Sequence, residues 1–206
     1  MNIKVSGITS LKQLKQLDGL DIDYAGIEFD TGSPWFLGDR ITKKELKNAD
    51  FDIKKVGIFT NPEMIEVLDA IDDYGLDVVQ LNGSETPEMC GDLSSEVEVI
   101  KTFQVATSTE LEIDKLVAPY DEVCDFYLFE AADGADQRFD WAILNRNRIE
   151  KPFFLSGGIG PDDAGAVKAF RHSDFFGIDI NQQFEKNTGE KDMALLLKFL
   201  QALKKK

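Results

Sequence analysis

The segment Ser156-Gly157-Gly158-Ile159 carries the strongest chemical signal in the chain. It follows a short apolar run, Phe153-Phe154-Leu155, and precedes a helical pattern opened by Pro161. Paired glycines at a strand end leave backbone N–H groups uncovered, so an anion can approach them closely. A second apolar run, residues 175–180, lies one helix further along. Two such strand ends side by side describe the phosphate cradle of a (β/α)8 barrel.

Other reactive residue types are sparse. The lone histidine, His172, falls near the end of the seventh helical stretch, away from the strand C-termini, and reads as a surface residue. Cys90 and Cys124 are too few for a disulfide framework and read as buried thiols. No His/Cys/carboxylate cluster has ligand spacing, so no metal is expected. The net charge of −15 argues against nucleic acid, which demands a basic face. It also repels small anions at long range unless a local basic pocket overrides it. No apolar run approaches the roughly 18 residues of a membrane span, and the opening Met1-Asn2-Ile3-Lys4-Val5 lacks the apolar core of a secretory signal. The expectation is a cytoplasmic protein with a small-molecule substrate and neither membrane nor nucleic-acid partner. The sequence does not fix an oligomeric state.

Eight β-rich runs alternate with amphipathic stretches: 2–5, 24–29, 55–60, 78–81, 98–103, 125–129, 153–155 and 175–180. The third and fourth are nearly all apolar, as in a sheet covered on both faces. Ser10 reads as an N-cap for a helix bearing Leu11, Leu14 and Leu17, closed by Gly19. Thr42 and Glu45 have capping-box spacing. Asn61-Pro62 opens a third helix ended by Gly75, and Thr86-Pro87 a fourth. Ser108 caps a run with Leu111 and Leu116, a sixth helix lies around 141–148, Pro161 opens the seventh, and the last bears Met193 to Leu203. This rhythm over 206 residues predicts an α/β fold: one (β/α)8 TIM-barrel domain over residues 1–206, rather than an open doubly wound sheet.

Several strand-end segments resemble one family. Lys4-Val5-Ser6-Gly7-Ile8-Thr9 is similar to Lys-Ile-Cys-Gly-Ile-Thr, the opening of phosphoribosylanthranilate isomerases. The second and third strands, Gly26 to Phe29 (with Ser33 beyond) and Val56-Gly57-Ile58-Phe59, resemble theirs. Val79-Gln80-Leu81-Asn82-Gly83-Ser84-Glu85 resembles their Val-Gln-Leu-His-Gly-Asp/Glu-Glu. Phe139-Asp140-Trp141, Leu155-Ser156-Gly157-Gly158, Asp179 and the stretch from Gly189 to Asp192 complete the likeness, in order along the whole chain. The resemblance implies an Amadori rearrangement in tryptophan biosynthesis: a phosphorylated aminoribose on anthranilate opens and becomes a ketose. That chemistry needs no cofactor. It needs an acid for the ring oxygen, a base for the proton on sugar C2′, a phosphate anchor and a carboxylate holder.

The resemblance also assigns roles position by position. Ser6 stands where the family has its catalytic cysteine, and Glu130 where it has its acid, an aspartate. A serine hydroxyl needs an adjacent base, and none is obvious; Ser6 reads equally as a small turn residue. Glu130 acts as an acid if burial or a neighbouring carboxylate raises its pKa, and otherwise reads as a solvated strand-end carboxylate. Trp35 replaces an arginine that suits the anthranilate carboxylate. An indole stacks on a ring instead, or with Phe36 simply closes the barrel mouth. Asn82 replaces a histidine, and the glycine-rich loop before Phe139 becomes Asp133 to Arg138, with Arg138 as the remaining cation. After the eighth strand, Asn181 and Gln182 replace a Ser-Ser-Gly half-cradle, while Gly157 and Gly158 remain. Scaffold positions match and strand ends diverge, so family membership and native isomerisation are separate expectations. Alternatives to the isomerase are a barrel that keeps a ligand pocket without catalysis, in a regulatory role, and an enzyme on a different, less anionic substrate.

Overall fold

The structure, a computed structural model, describes residues 1–106, 112–132 and 138–205. Eight parallel strands close into a barrel in sequence order: β1 (Asn2–Val5), β2 (Tyr24–Glu28), β3 (Lys54–Phe59), β4 (Val78–Leu81), β5 (Glu98–Val105), β6 (Phe126–Ala131), β7 (Phe153–Leu155) and β8 (Phe175–Ile180). The seam is β1 on β8, where Asn2 pairs with Gly177 and Lys4 with Asp179. A Cβ on Gly177 would collide with the Asn2 carbonyl, so a glycine there permits the seam.

Outside lie α1 (Leu11–Asp18), α2 (Lys43–Lys47), α3 (Met64–Tyr74), α4 (Pro87–Ser94), α5 (Ile113–Val117), α6 (Ala164–Ala169) and α7 (Met193–Lys204). The caps on α1 and α2 are the expected ones: Ser10 accepts from the Gln13 N–H, and Thr42 with Glu45 forms a capping box. Helix α3 departs from expectation. Asn61 adopts a left-handed backbone (φ 49°), and Glu63 with Glu66 caps the helix. Asn61 is diverted because its side chain accepts from the Ser84 N–H (2.7 Å) and its own N–H reaches Glu85 (2.8 Å). The sixth helical stretch is a 3-10 helix, Trp141–Arg146. The expected cap Ser108 and Leu111 lie outside the described residues. A short hairpin, β9 (Glu185–Asn187) with β10 (Glu190–Lys191), follows β8 and was not anticipated.

Side chains alternate inward and outward along each strand. The outward set packs beneath the helices: Val79, Leu81, Val99, Phe129 and Leu155 are fully buried there, in one core with Leu14 and Leu17 of α1 and Leu196 of α7. Each contributes about 1.5–3 kcal/mol by leaving water. Inward, the lower barrel is plugged by Tyr24, Val56, Ile58, Val78, Ile100, Leu128 and Phe154. Towards the strand C-termini this plug gives way to polar groups: Lys4 then Ser6, Gly26 then Glu28, Gln80 then Asn82, Leu128 then Glu130. The plug is thus the floor beneath a polar mouth. His172 is remote from that mouth but is half-buried, with its ring edge-on to Phe153 at 5.0 Å. The surface position expected for it is therefore corrected. Cys90 and Cys124 are buried free thiols.

Candidate functional site

One pocket opens at the C-terminal ends of the strands. Ser6, Asn82, Glu130, Gly157, Gly158, Asn181 and Gln182 line it together, from five different strand ends. Glu28, Gln80, Ser156 and Asp179 line it as well, though the sequence did not single them out as site residues.

Beneath the pocket sits a buried charge network. Lys4, fully buried, donates to the Ser6 hydroxyl (2.5 Å) and pairs with Asp179 (3.1 Å). The Ser6 hydroxyl in turn donates to Asp179 Oδ1 (2.7 Å), and the Ser156 hydroxyl to Asp179 Oδ2 (3.4 Å). Gly26 makes room for this: a Cβ there would lie 2.5 Å from Ser6 Oγ. Across the mouth, Gln80 donates to Thr102 (3.1 Å) and Asn82 (3.3 Å), while its buried carbonyl oxygen accepts from no donor among the described residues. That oxygen is available to a ligand hydroxyl.

The β7 turn has the shape of an anion cradle. Gly157 and Gly158 both take positive φ (82° and 60°), which glycine adopts at no steric cost. Their successive N–H groups have no acceptor among the described residues. Arg138 does not line the pocket. It grips the turn from behind, donating to the Gly158 carbonyl (3.3 Å), pairing with Asp163 and stacking over Trp141 (4.9 Å). Trp35 is also outside the pocket lining. Its indole N–H donates to Glu185 (2.9 and 3.1 Å), which Lys191 also holds (2.5 Å). Lys191 reaches Asn181 as well, at 2.5 Å. Trp35 and Asn181 cross over Gly7 (φ 74°), where a side chain would clash with both.

Two carboxyls of the pocket are held close to neutral pH. Burial, the Asp179 charge and then Asp30 and Glu130 push Glu28 up to about 7, against the pull of Lys4. Burial and Asp179 push Glu130 up to about 7, against the Gln104 amide, Lys4 and Lys101. Raised carboxyls in a cleft are a mark of acid–base sites. They also cost stability. The folded state binds these protons more tightly than the unfolded chain, so their contribution is full below about pH 4.5 and is lost as pH rises through about 7. Glu28→Gln is therefore expected to be more stable than the parent protein by about 1–3 kcal/mol at about pH 8, with no gain at about pH 4. Denaturant titration at both pH values checks this, and an equal offset at both would show that Glu28 ionises freely.

Alternation along β1, β2 and β4 could have marked Lys4, Glu28 and Gln80: each shares a strand face with a neighbour that points inward. Asp179 was noted only as part of the resemblance.

Residues 3–202 match the family model described as N-(5′-phosphoribosyl)anthranilate (PRA) isomerase. The N-(5′-phosphoribosyl)anthranilate isomerase of Parabacteroides distasonis is 35% identical over 98% of this chain and 93% of that protein. The phosphoribosyl anthranilate isomerase structure from Thermotoga maritima superimposes with TM-score 0.82 at 25% identity, covering 99% of this chain and 98% of that one. Another isomerase structure, in complex with reduced 1-(o-carboxyphenylamino)-1-deoxyribulose 5-phosphate, gives TM-score 0.79 at 25% identity over 99% and 98%. Among the described residues no helix is long and apolar enough to cross a membrane.

Proposed function

Since the chain belongs to the N-(5′-phosphoribosyl)anthranilate isomerase family, we propose that it performs the family's intramolecular aldose–ketose rearrangement. The observation that carries this reading is the convergence of Glu130 and the uncovered Gly157–Gly158 turn on one polar pocket. An acid and an anion cradle on neighbouring strand ends, β6 and β7, give a sugar phosphate undergoing ring opening the two groups it requires.

In this reading Gly157 and Gly158 hold the phosphate by backbone N–H, helped by the Asn181 and Gln182 amides. Asn82 and the free Gln80 carbonyl take sugar hydroxyls. Glu130 protonates the ring oxygen. Ser6 lines the floor, Arg138 keeps the cradle in shape, and Trp35, packed over Gly7 outside the pocket lining, braces the rim on the side assigned to the anthranilate ring. The complexed relative holds a ligand with both a carboxyphenylamino group and a 5-phosphate, the two ends this pocket would have to accommodate. We place the reaction in the cytoplasm, in one domain spanning the chain, with no resident cofactor.

A second reading, an enzyme on a less anionic substrate, is favoured by one feature. Trp35 stands in the arginine's position with its N–H committed to Glu185, and the floor lysine is fully paired. The test is direct. Purified protein mixed with N-(5′-phosphoribosyl)anthranilate should abolish the substrate's fluorescence catalytically, and expression should rescue a tryptophan auxotroph lacking the isomerase. A folded protein that does neither would overturn the isomerase reading and leave the second.

A further inference from the structure

Isomerisation needs a base for the C2′ proton, and the residue in the family's base position is already committed. The Ser6 hydroxyl gives its proton to Asp179 and accepts one from Lys4. Lys4, held against a carboxylate, has no lone pair with which to deprotonate it. Ser6 and Lys4 therefore do not form a serine–lysine nucleophile.

The next inward group above Ser6 is a carboxyl. Ser6 Oγ occupies the space left by Gly26, and Glu28 is the following inward position on the same strand, one step nearer the mouth. It lines the same pocket as Glu130. In an eight-stranded ring β2 and β6 are diametrically opposed, so a sugar lying across the mouth has one carboxyl on each side. No described residue hydrogen-bonds the Glu28 carboxyl, which leaves its oxygens free for substrate. We propose that Glu28 is the base that takes the C2′ proton, in the role the family gives to cysteine.

This rests on the isomerase reading and completes its proton balance. Protonated Glu130 gives its proton to the ring oxygen as the C1′–O bond breaks, and the nitrogen lone pair forms C1′=N. Ionised Glu28 then takes the C2′ proton. The C2′–H electron pair becomes C1′=C2′, and the C=N pair returns to nitrogen. The resulting enol receives at C1′ the proton that Glu28 took and gives its hydroxyl proton to Glu130, which leaves the ketose and returns both carboxyls to their starting states. Nothing is oxidised or reduced. The charges facing Glu28 are Lys4 on β1, Asp179 on β8, Glu130 on β6 and Asp30 in its own loop. Repulsion between Glu28 and Glu130 favours states in which only one of them is ionised, and the form with Glu28 ionised and Glu130 protonated is the reactive one.

The experiment compares kcat and KM for N-(5′-phosphoribosyl)anthranilate across pH in the full chain, in Glu28→Gln and in Glu28→Asp, with circular dichroism to verify folding. Glu28→Gln should lower kcat about 100- to 10 000-fold with a far smaller change in KM, and should erase the limb on which rate rises with pH. Glu28→Asp should restore part of the rate and keep that limb, displaced along the pH axis. If Glu28→Gln retains the limb or most of the rate, Glu28 is not the base, although the isomerase reading stands. A shortfall in Glu28→Gln with the limb intact would mark a structural role and equally overturn the proposal. If Glu28→Gln does not fold, Glu28→Asp decides: an unshifted limb rejects the base. An inert parent protein rejects the isomerase reading and this proposal with it.

Discussion

Glu130→Gln is expected to lower kcat for N-(5′-phosphoribosyl)anthranilate by about 100- to 10 000-fold. Glutamine keeps the volume and the hydrogen bonds of the carboxyl but has no proton to give. The parent carboxyl is suited to giving one, because burial first and the Asp179 charge second hold it up to about 7. A carboxyl at its ordinary 4.5 would be almost wholly ionised at neutral pH and useless as an acid. The same placement sets the alkaline side of the pH profile. Activity should fall as pH rises through about 7, and that fall should vanish in Glu130→Gln. Steady-state kinetics over pH measure both effects. A variant within a few-fold of the parent would remove Glu130 from the chemistry.

The second large effect concerns the floor of the site. Lys4→Met is expected to destabilise the fold by about 3–5 kcal/mol, because it leaves the Asp179 carboxylate buried beside Ser6 and Ser156 without its cation. The loss comes from an orphaned charge rather than from the worth of the pair. Lys4→Met with Asp179→Leu should therefore recover much of it. Unfolding in urea of the parent, both single variants and the double variant gives the cycle. Losses that simply add would show that the ammonium and the carboxylate do not depend on each other.

The barrel was legible because strand and helix periodicity, caps such as Thr42–Glu45 and the Gly157–Gly158 turn are all local signals. The pocket's wall was half legible. Glu130 and Asn82 sit at strand ends where matching segments point to them, but Glu28 lies inside a stretch that reads only as strand. Beneath it, alternation could mark Lys4 as inward-facing, but the partners of the buried network were not legible. Ser6 and Asp179 are 173 residues apart, and Trp35 and Glu185 are 150 apart. Such pairs exist only once the ring has closed, and no local pattern marks them. For the same reason Trp35 and Arg138 could be read from sequence as ligand contacts, yet the structure ties both to neighbouring carboxylates.

The seam between β1 and β8 bears on how the chain is made. Asn2 through Val5 leave the ribosome long before their partners Gly177 through Ile180, with the other six strands of the barrel made in between. Until then the nascent polypeptide holds open strand edges and a lysine whose counter-charge has not been translated. Ordering so remote a contact is slow and exposes sticky edges in the meantime. The same contact that steadies the mature floor makes closure of the ring wait for its eighth strand.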